Sequence, residues 1–170
     1  MNRPVLTYTV TARVIGPGVS RAEAGDKTAA VEFDTSAAQS ETHLGPAELL
    51  LTAFAACVLK NVERMSRLQP FAYSGASIEV VGEREDRPPR MIRIRYTLRV
   101  ETDEPARRVE LLHRNIAGFG TIYNTLAAAC DVAGEIVAVT SPERLAETQR
   151  FDPDDVRPGE EVGHGSLPAL

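Results

Sequence analysis

Apolar and polar positions alternate at the start of the chain. Leu6, Tyr8, Val10, Ala12 and Val14 fall on one side, and Thr7, Thr9, Thr11 and Arg13 on the other. A period of two predicts a half-buried strand. The turn residues Gly16-Pro17-Gly18 and a loop reaching Gly25-Asp26 end it, and a second strand is expected where Ala29, Val31 and Phe33 point one way. After a polar loop from Asp34 to Leu44 the pattern changes, and Gly45-Pro46-Ala47-Glu48 opens a helix. Proline fits the first turn because its missing N–H is not needed there, and a carboxylate in that turn meets the positive end of the helix dipole. From Leu49 to Leu59 the run has no polar side, so the spacing predicts a helix buried nearly all round, extending to about Leu68 and closed by Pro70. Lys60, Glu63 and Arg64 follow too soon for this run to span a bilayer.

Alternation returns twice in the second half. Ile78 and Val80 interleave with Ser77 and Glu79, and Ile92, Ile94, Tyr96, Leu98 and Val100 with Arg93, Arg95, Thr97 and Arg99. The polar, proline-containing stretch Glu85 to Arg90 makes the two a hairpin. Its rows of Glu79/Glu83 and Arg93/Arg95/Arg99 read as cross-strand charge pairs on a solvated face rather than as an anion site. Beyond Pro105, Val109, Leu112, Ile116, Phe119, Tyr123, Leu126 and Cys130 recur at steps of three and four, one apolar helical stripe. Gly118 and Gly120 interrupt it at about 1 kcal/mol each relative to alanine, so the helix is expected to break there and restart at Thr121. A short strand, Ile136 to Val139, closes the compact part. The order β-β-α-β-β-α-β is an α+β domain with a largely antiparallel sheet around a buried helix, spanning residues 1–140. From Ser141 to Leu170, acidic residues, Pro153, Pro158 and glycines read as a mobile tail.

Composition narrows the function without choosing it. A net charge of −5 over 170 residues gives no reason to expect nucleic acid or an anionic membrane. The start, Met1-Asn2-Arg3-Pro4, leads straight into the strand pattern with no signal-peptide core. Cys57 and Cys130 are too few for a disulfide framework, and His43, His113 and His164 are scattered, so no metal and no cofactor is expected. A reducing cytoplasm is the natural compartment.

Cys57, on the wall of the apolar helix, is either core filler or a dry nucleophile. Its context decides. Gly45-Pro46-Ala47-Glu48-Leu49-Leu50 through Ala55-Ala56-Cys57, together with Phe119-Gly120-Thr121-Ile122-Tyr123-Asn124-Thr125-Leu126, resembles the two motifs of the OsmC/Ohr family of cysteine-based peroxidases. The resemblance covers about residues 5 to 140. It implies an interlocked homodimer in which Cys57 attacks a peroxide, Arg21 (or, next, Arg13) lowers the thiol's pKa, and Glu48 orients that cation. Phe54, Phe119 and Tyr123 would line the substrate pocket, though their helical spacing suits core residues equally well. Two positions depart from the family pattern. The resolving cysteine is Gly120 here, or Thr121 in a register shifted by one, and Ala47 occupies the slot after the proline where the family often has its glutamate.

Helix geometry adds two constraints. Glu48 lies nine residues before Cys57, rotated by about 180° and displaced by about 13 Å on a continuous helix, so either the helix begins irregularly, or Glu48 reaches a thiol across a dimer, or it serves its own helix dipole. Cys130 completes the apolar stripe and is expected to pack in the core rather than to replace the resolving thiol. The resemblance therefore implies a peroxidase acting on organic or hydrogen peroxide and served by an external thiol. The rival reading is a non-catalytic small-molecule binding or redox-sensing member of the same fold.

Overall fold

The computed structural model describes residues 5–25, 27–38 and 40–140; the tail read from Ser141 onward lies outside the described residues. Nine elements follow one another: β1 (Val10–Gly16), β2 (Val19–Ala24), β3 (Ala30–Asp34), α1 (Pro46–Leu68), β4 (Gly75–Asp86), β5 (Pro89–Glu101), α2 (Ala106–Phe119), α3 (Thr121–Ala127) and β6 (Asp131–Val139). The α+β class is as expected, but the order gains a strand, β2, and the second helix is divided in two. Val19 to Ala24 had read as loop because its inward row is only Ser20, Ala22 and Ala24, too small to register as apolar alternation.

The strands form two separate three-stranded sheets, β1-β2-β3 and β4-β5-β6. The first is antiparallel throughout, whereas in the second β6 runs parallel to β5. A parallel return needs a long crossover, and α2 with α3 supplies it. The register puts Ile78, Val80, Leu98, Tyr96, Ile94, Ile136 and Val132 on one face of the second sheet. The opposite face carries charge. Arg93 donates to Glu83 at 2.7 Å, the cross-strand pair expected, whereas Arg95 pairs with Asp131 of β6 rather than with the glutamate row.

The core forms where this face meets two helices. Phe54, Val58, Val62 and Met65 of α1, Ile94, Leu98 and Val100 of β5, and Val109, Leu112 and Ile116 of α2 are all buried. Gly134 lets β5 and β6 close up, because a β-carbon there would run into the ring and carbonyl of Tyr96.

Helix α1 is not buried all round within the chain. Its core side is sealed, but Thr52, Ala53, Ala56 and Lys60 on the other side are exposed. The first sheet is similarly uncovered. Val10, Val14 and Val31 are 63%, 72% and 52% exposed, although register places them on one apolar face with Ala12, Ala22 and Phe33. Residues 5–9 are not part of β1, which starts at Val10.

Candidate active site

Cys57 opens onto a cavity of about 510 Å³. Ala53, Ala56, Cys57, Lys60 and Arg64 form its α1 wall, steps of three and four that keep them on one side of the helix. Phe119 ends α2, and Thr121 and Ile122 begin α3; these three make the opposite wall. Leu6 and Tyr8, from the segment before β1, complete the lining. The break expected between the two helices is therefore what shapes the site. Gly120 caps both: its N–H donates to the Ile116 carbonyl at 3.2 Å, and its carbonyl accepts from the Asn124 N–H at 2.8 Å. That turn brings Thr121 and Ile122 onto the cavity.

Asn61 is the residue in closest polar association with the thiol. Only 6% exposed, it donates from Nδ2 to the Cys57 carbonyl at 2.9 Å, and the same nitrogen lies 3.8 Å from Sγ. The sequence reading missed it. An amide four residues after Cys57, and so one turn along on the same side of the helix, is the signal that could have found it. Lys60 and Arg64 give the cavity its charge. The Arg64 guanidinium stands 5.9 Å from the centre of the Phe119 ring, and no carboxylate among the described residues lines the cavity.

Gly120, where the family's second thiol would sit, has no room for a side chain. A β-carbon there would meet Tyr123 Cβ at 2.8 Å, the Ile116 carbonyl at 3.2 Å and Asn61 Nδ2 at 3.4 Å. Thr121, the alternative register, is the position on the cavity wall. Cys57 and Cys130 are both free. Cys130 donates to the Leu126 carbonyl at 3.4 Å, is not on the cavity, and is pushed up in pKa chiefly by burial.

The remaining expected site residues divide. Phe119 lines the cavity. Phe54 does not: at 0% exposure it belongs to the core, its ring 5.6 Å from those of Tyr96 and Tyr123. Tyr123 likewise packs into that aromatic group rather than onto the cavity. Tyr96 also shares a 2.7 Å hydrogen bond with His113 Nε2; burial drives the tyrosine's pKa up and the histidine's down. Arg21 lies on β2 with Glu23 and Glu32 at 3.8 and 3.9 Å, and Arg13 on β1 with Glu23 at 3.5 Å; within one chain neither lines the Cys57 cavity. The Arg21 Nε is nonetheless buried without a hydrogen-bond partner among the described residues. Glu48 is exposed and accepts the Gly45 N–H at 2.7 Å, closing the first turn of a helix that runs unbroken past Cys57.

A second recess of about 400 Å³, between Ala72–Ser74 and Glu101–Glu104, lies away from Cys57. Its carboxylates are engaged locally, Glu101 with Ser74 and Glu104 with Arg108 and the Ala72 N–H. No helix among the described residues is long and apolar enough to cross a membrane.

Comparison with known proteins converges on the same fold. An OsmC-like protein from Mycoplasma pneumoniae superposes with a TM-score of 0.70 at 16% identity, covering 79% of this chain and 98% of that one. The organic hydroperoxide resistance protein OhrB of Bacillus subtilis gives 0.56 at 18% identity, covering 78% and 98%. An organic hydroperoxide resistance protein OsmC from Legionella pneumophila gives 0.59 at 15%, covering 81% and 100%. No curated protein matches the sequence. The sequence itself matches the OsmC-like protein family over residues 38–135, more than half its length, a stretch that holds Cys57, Asn61 and the Gly120 turn, and the chain belongs to that family.

Proposed function

We propose that this chain is a one-cysteine thiol peroxidase that works as a homodimer. The observation that carries the reading is Cys57 on the wall of a cavity that also holds two cations, Lys60 and Arg64, and the buried amide of Asn61. A peroxidatic thiol must react as thiolate, and neighbouring positive charge favours that form against apolar surroundings. The Cys57 thiolate attacks one peroxide oxygen. The O–O bond breaks, the alkoxide leaves and takes up a proton, and the sulfur, oxidised by two electrons, becomes a sulfenic acid. The organic hydroperoxide resistance proteins that share this fold agree with that chemistry.

The dimer is supported by surface that one chain leaves open: the apolar face of the first sheet and the exposed side of α1. Arg21 and Glu48 belong to the site only in this assembly, Arg21 facing the thiol of the second copy and Glu48 orienting that arginine. Purified protein should reduce hydrogen peroxide or cumene hydroperoxide with dithiothreitol or dihydrolipoamide as electron donor, and Cys57→Ser should abolish turnover. Wild-type protein that neither consumes peroxide nor gains oxygen on Cys57 by mass would overturn the reading. The rival, a binding or redox-sensing module, is favoured by the Gly120 packing, which leaves no second thiol at the usual position. Oxygen gain at Cys57 without catalytic turnover would select the redox-sensing form.

A further inference from the structure

We infer that the Cys57 cavity is built to receive a small thiol bearing a carboxylate, which acts as the reductant. The inference rests on the peroxidase reading and deepens it by naming the class of its second substrate. Three observations meet. First, the chain cannot resolve its own sulfenic acid at the usual place, because that place holds Gly120 or, one residue on, Thr121, and neither is a thiol. The reducing sulfur must come from outside. Second, Cys57 opens onto the 510 Å³ cavity, so an incoming thiol reaches it there. Third, within one chain that route is cationic, and no carboxylate among the described residues lines it. Lys60 and Arg64 stand one and two turns beyond Cys57 on the same side of α1, and among the described residues neither is paired with a carboxylate. Arg67, the remaining basic side chain of α1, is by contrast bound to Glu63.

Spacing along the helix sets the shape of the guest. Lys60 is about 4.5 Å and Arg64 about 10.5 Å beyond Cys57 along the axis. A carboxylate a few bonds from the sulfur would meet Lys60 while its thiol sits against Cys57, and a second carboxylate could extend to Arg64. Apolar Ala53, Ala56 and Phe119 would contact the linking carbons. The chemistry balances with this reductant alone. Its thiolate attacks the Cys57 sulfenyl sulfur, the S–O bond breaks and water leaves after protonation, and a mixed disulfide forms. A second molecule of the same thiol attacks the guest sulfur, releasing the Cys57 thiolate and a symmetrical disulfide. Two thiols are oxidised for each peroxide reduced.

The test separates this inference from the peroxidase reading. Reduced protein is first reacted with two aromatic disulfides, the dianionic dithiobis(nitrobenzoate) and the neutral dithiodipyridine, in wild type and in Lys60→Gln/Arg64→Gln. The neutral reagent corrects for any change in the reactivity of the sulfur itself. The ratio of anionic to neutral rates, relative to a small free thiol, should be raised about tenfold in wild type, fall towards one in the double variant, and fall as salt rises from about 0.05 to about 0.5 M. In a second arm, Cys57 is oxidised with hydrogen peroxide and resolved by mercaptopropionate, mercaptoethanol or cysteamine, each at equal thiolate concentration. Mercaptopropionate should lead and cysteamine trail, and the order should collapse in the double variant. Equal ratios in wild type, or a preference that survives loss of both cations, would overturn the inference. A preference in the first arm, with no oxidation by peroxide in the second, would keep the anionic-thiol site and sink the peroxidase reading.

Discussion

The two sheets have similar sequence patterns and opposite fates. In β4-β5-β6 the apolar row of β5 is sealed by α1 and α2, and Ile94, Leu98 and Val100 reach 0% exposure. In β1-β2-β3 the apolar row of β1 meets nothing of comparable size, and every residue from Val10 to Ile15 is exposed. Alternation therefore shows which face of a strand seeks cover, not what covers it. For the second sheet the cover is this chain's own helices. For the first, we have proposed a second copy.

Substitutions on the two sheets should part sharply. Leu98→Ala should cost about 2–5 kcal/mol, because it opens a cavity among residues that cannot collapse into it, whereas Val14→Ala, measured at low concentration where chains are single, should stay within about 0.5 kcal/mol. Denaturant midpoints for both variants are the check, and equal losses would mean that the first sheet has cover within the chain. Next in size is the effect of charge on the open face. Val14→Asp should weaken dimerisation at least about tenfold, near 1.4 kcal/mol, by sedimentation at micromolar concentration. A wild type that is monomeric there would remove the dimer and with it the cross-chain roles of Arg21 and Glu48.

The covered sheet also meets a half-buried histidine. His113 of α2 meets Tyr96 of β5, and burial lowers its pKa below the ordinary 6.5. The unfolded chain then binds a proton that the folded chain does not, so this site's contribution is complete above about pH 6.5 and is lost as pH falls through the lowered folded value. The melting temperature of His113→Gln should fall less than that of wild type across this acid range. Parallel curves would show that His113 is not held neutral. Smallest is Glu48→Ala, which should cost about 1 kcal/mol through the lost cap on Gly45. If peroxide turnover also falls far more than stability explains, Glu48 works across the interface as well.

Much of the fold was legible because its signals are local. The start of α1 at Gly45-Pro46, the β4-β5 hairpin and the break at Gly120 each depend on a few neighbouring residues. Strand β2 and the first half of β6 were not legible, since Ser20, Ala22, Ala133 and Gly134 are too small to make alternation visible. At the site, Cys57 and Phe119 were found and Asn61 was not. Phe54 was assigned to the pocket because it is an aromatic one turn from Cys57, yet its ring turns inward against Tyr96 and Tyr123, a contact that only the packing of β5 and α3 on α1 reveals. Leu6 and Tyr8 were read as strand, and nothing in their own spacing tells of a cavity assembled from elements more than a hundred residues apart.

The tight turn at Gly120 has a consequence for how this chain could change. Replacing the glycine with cysteine would not convert it into a two-thiol protein, because the new side chain would displace Tyr123 and disturb the rings of Phe54 and Tyr96 stacked behind it. The aromatic packing holds that position small. One residue onward the constraint lifts: Thr121 lines the same chamber as Cys57, so Thr121→Cys would add a second thiol there without displacing Tyr123.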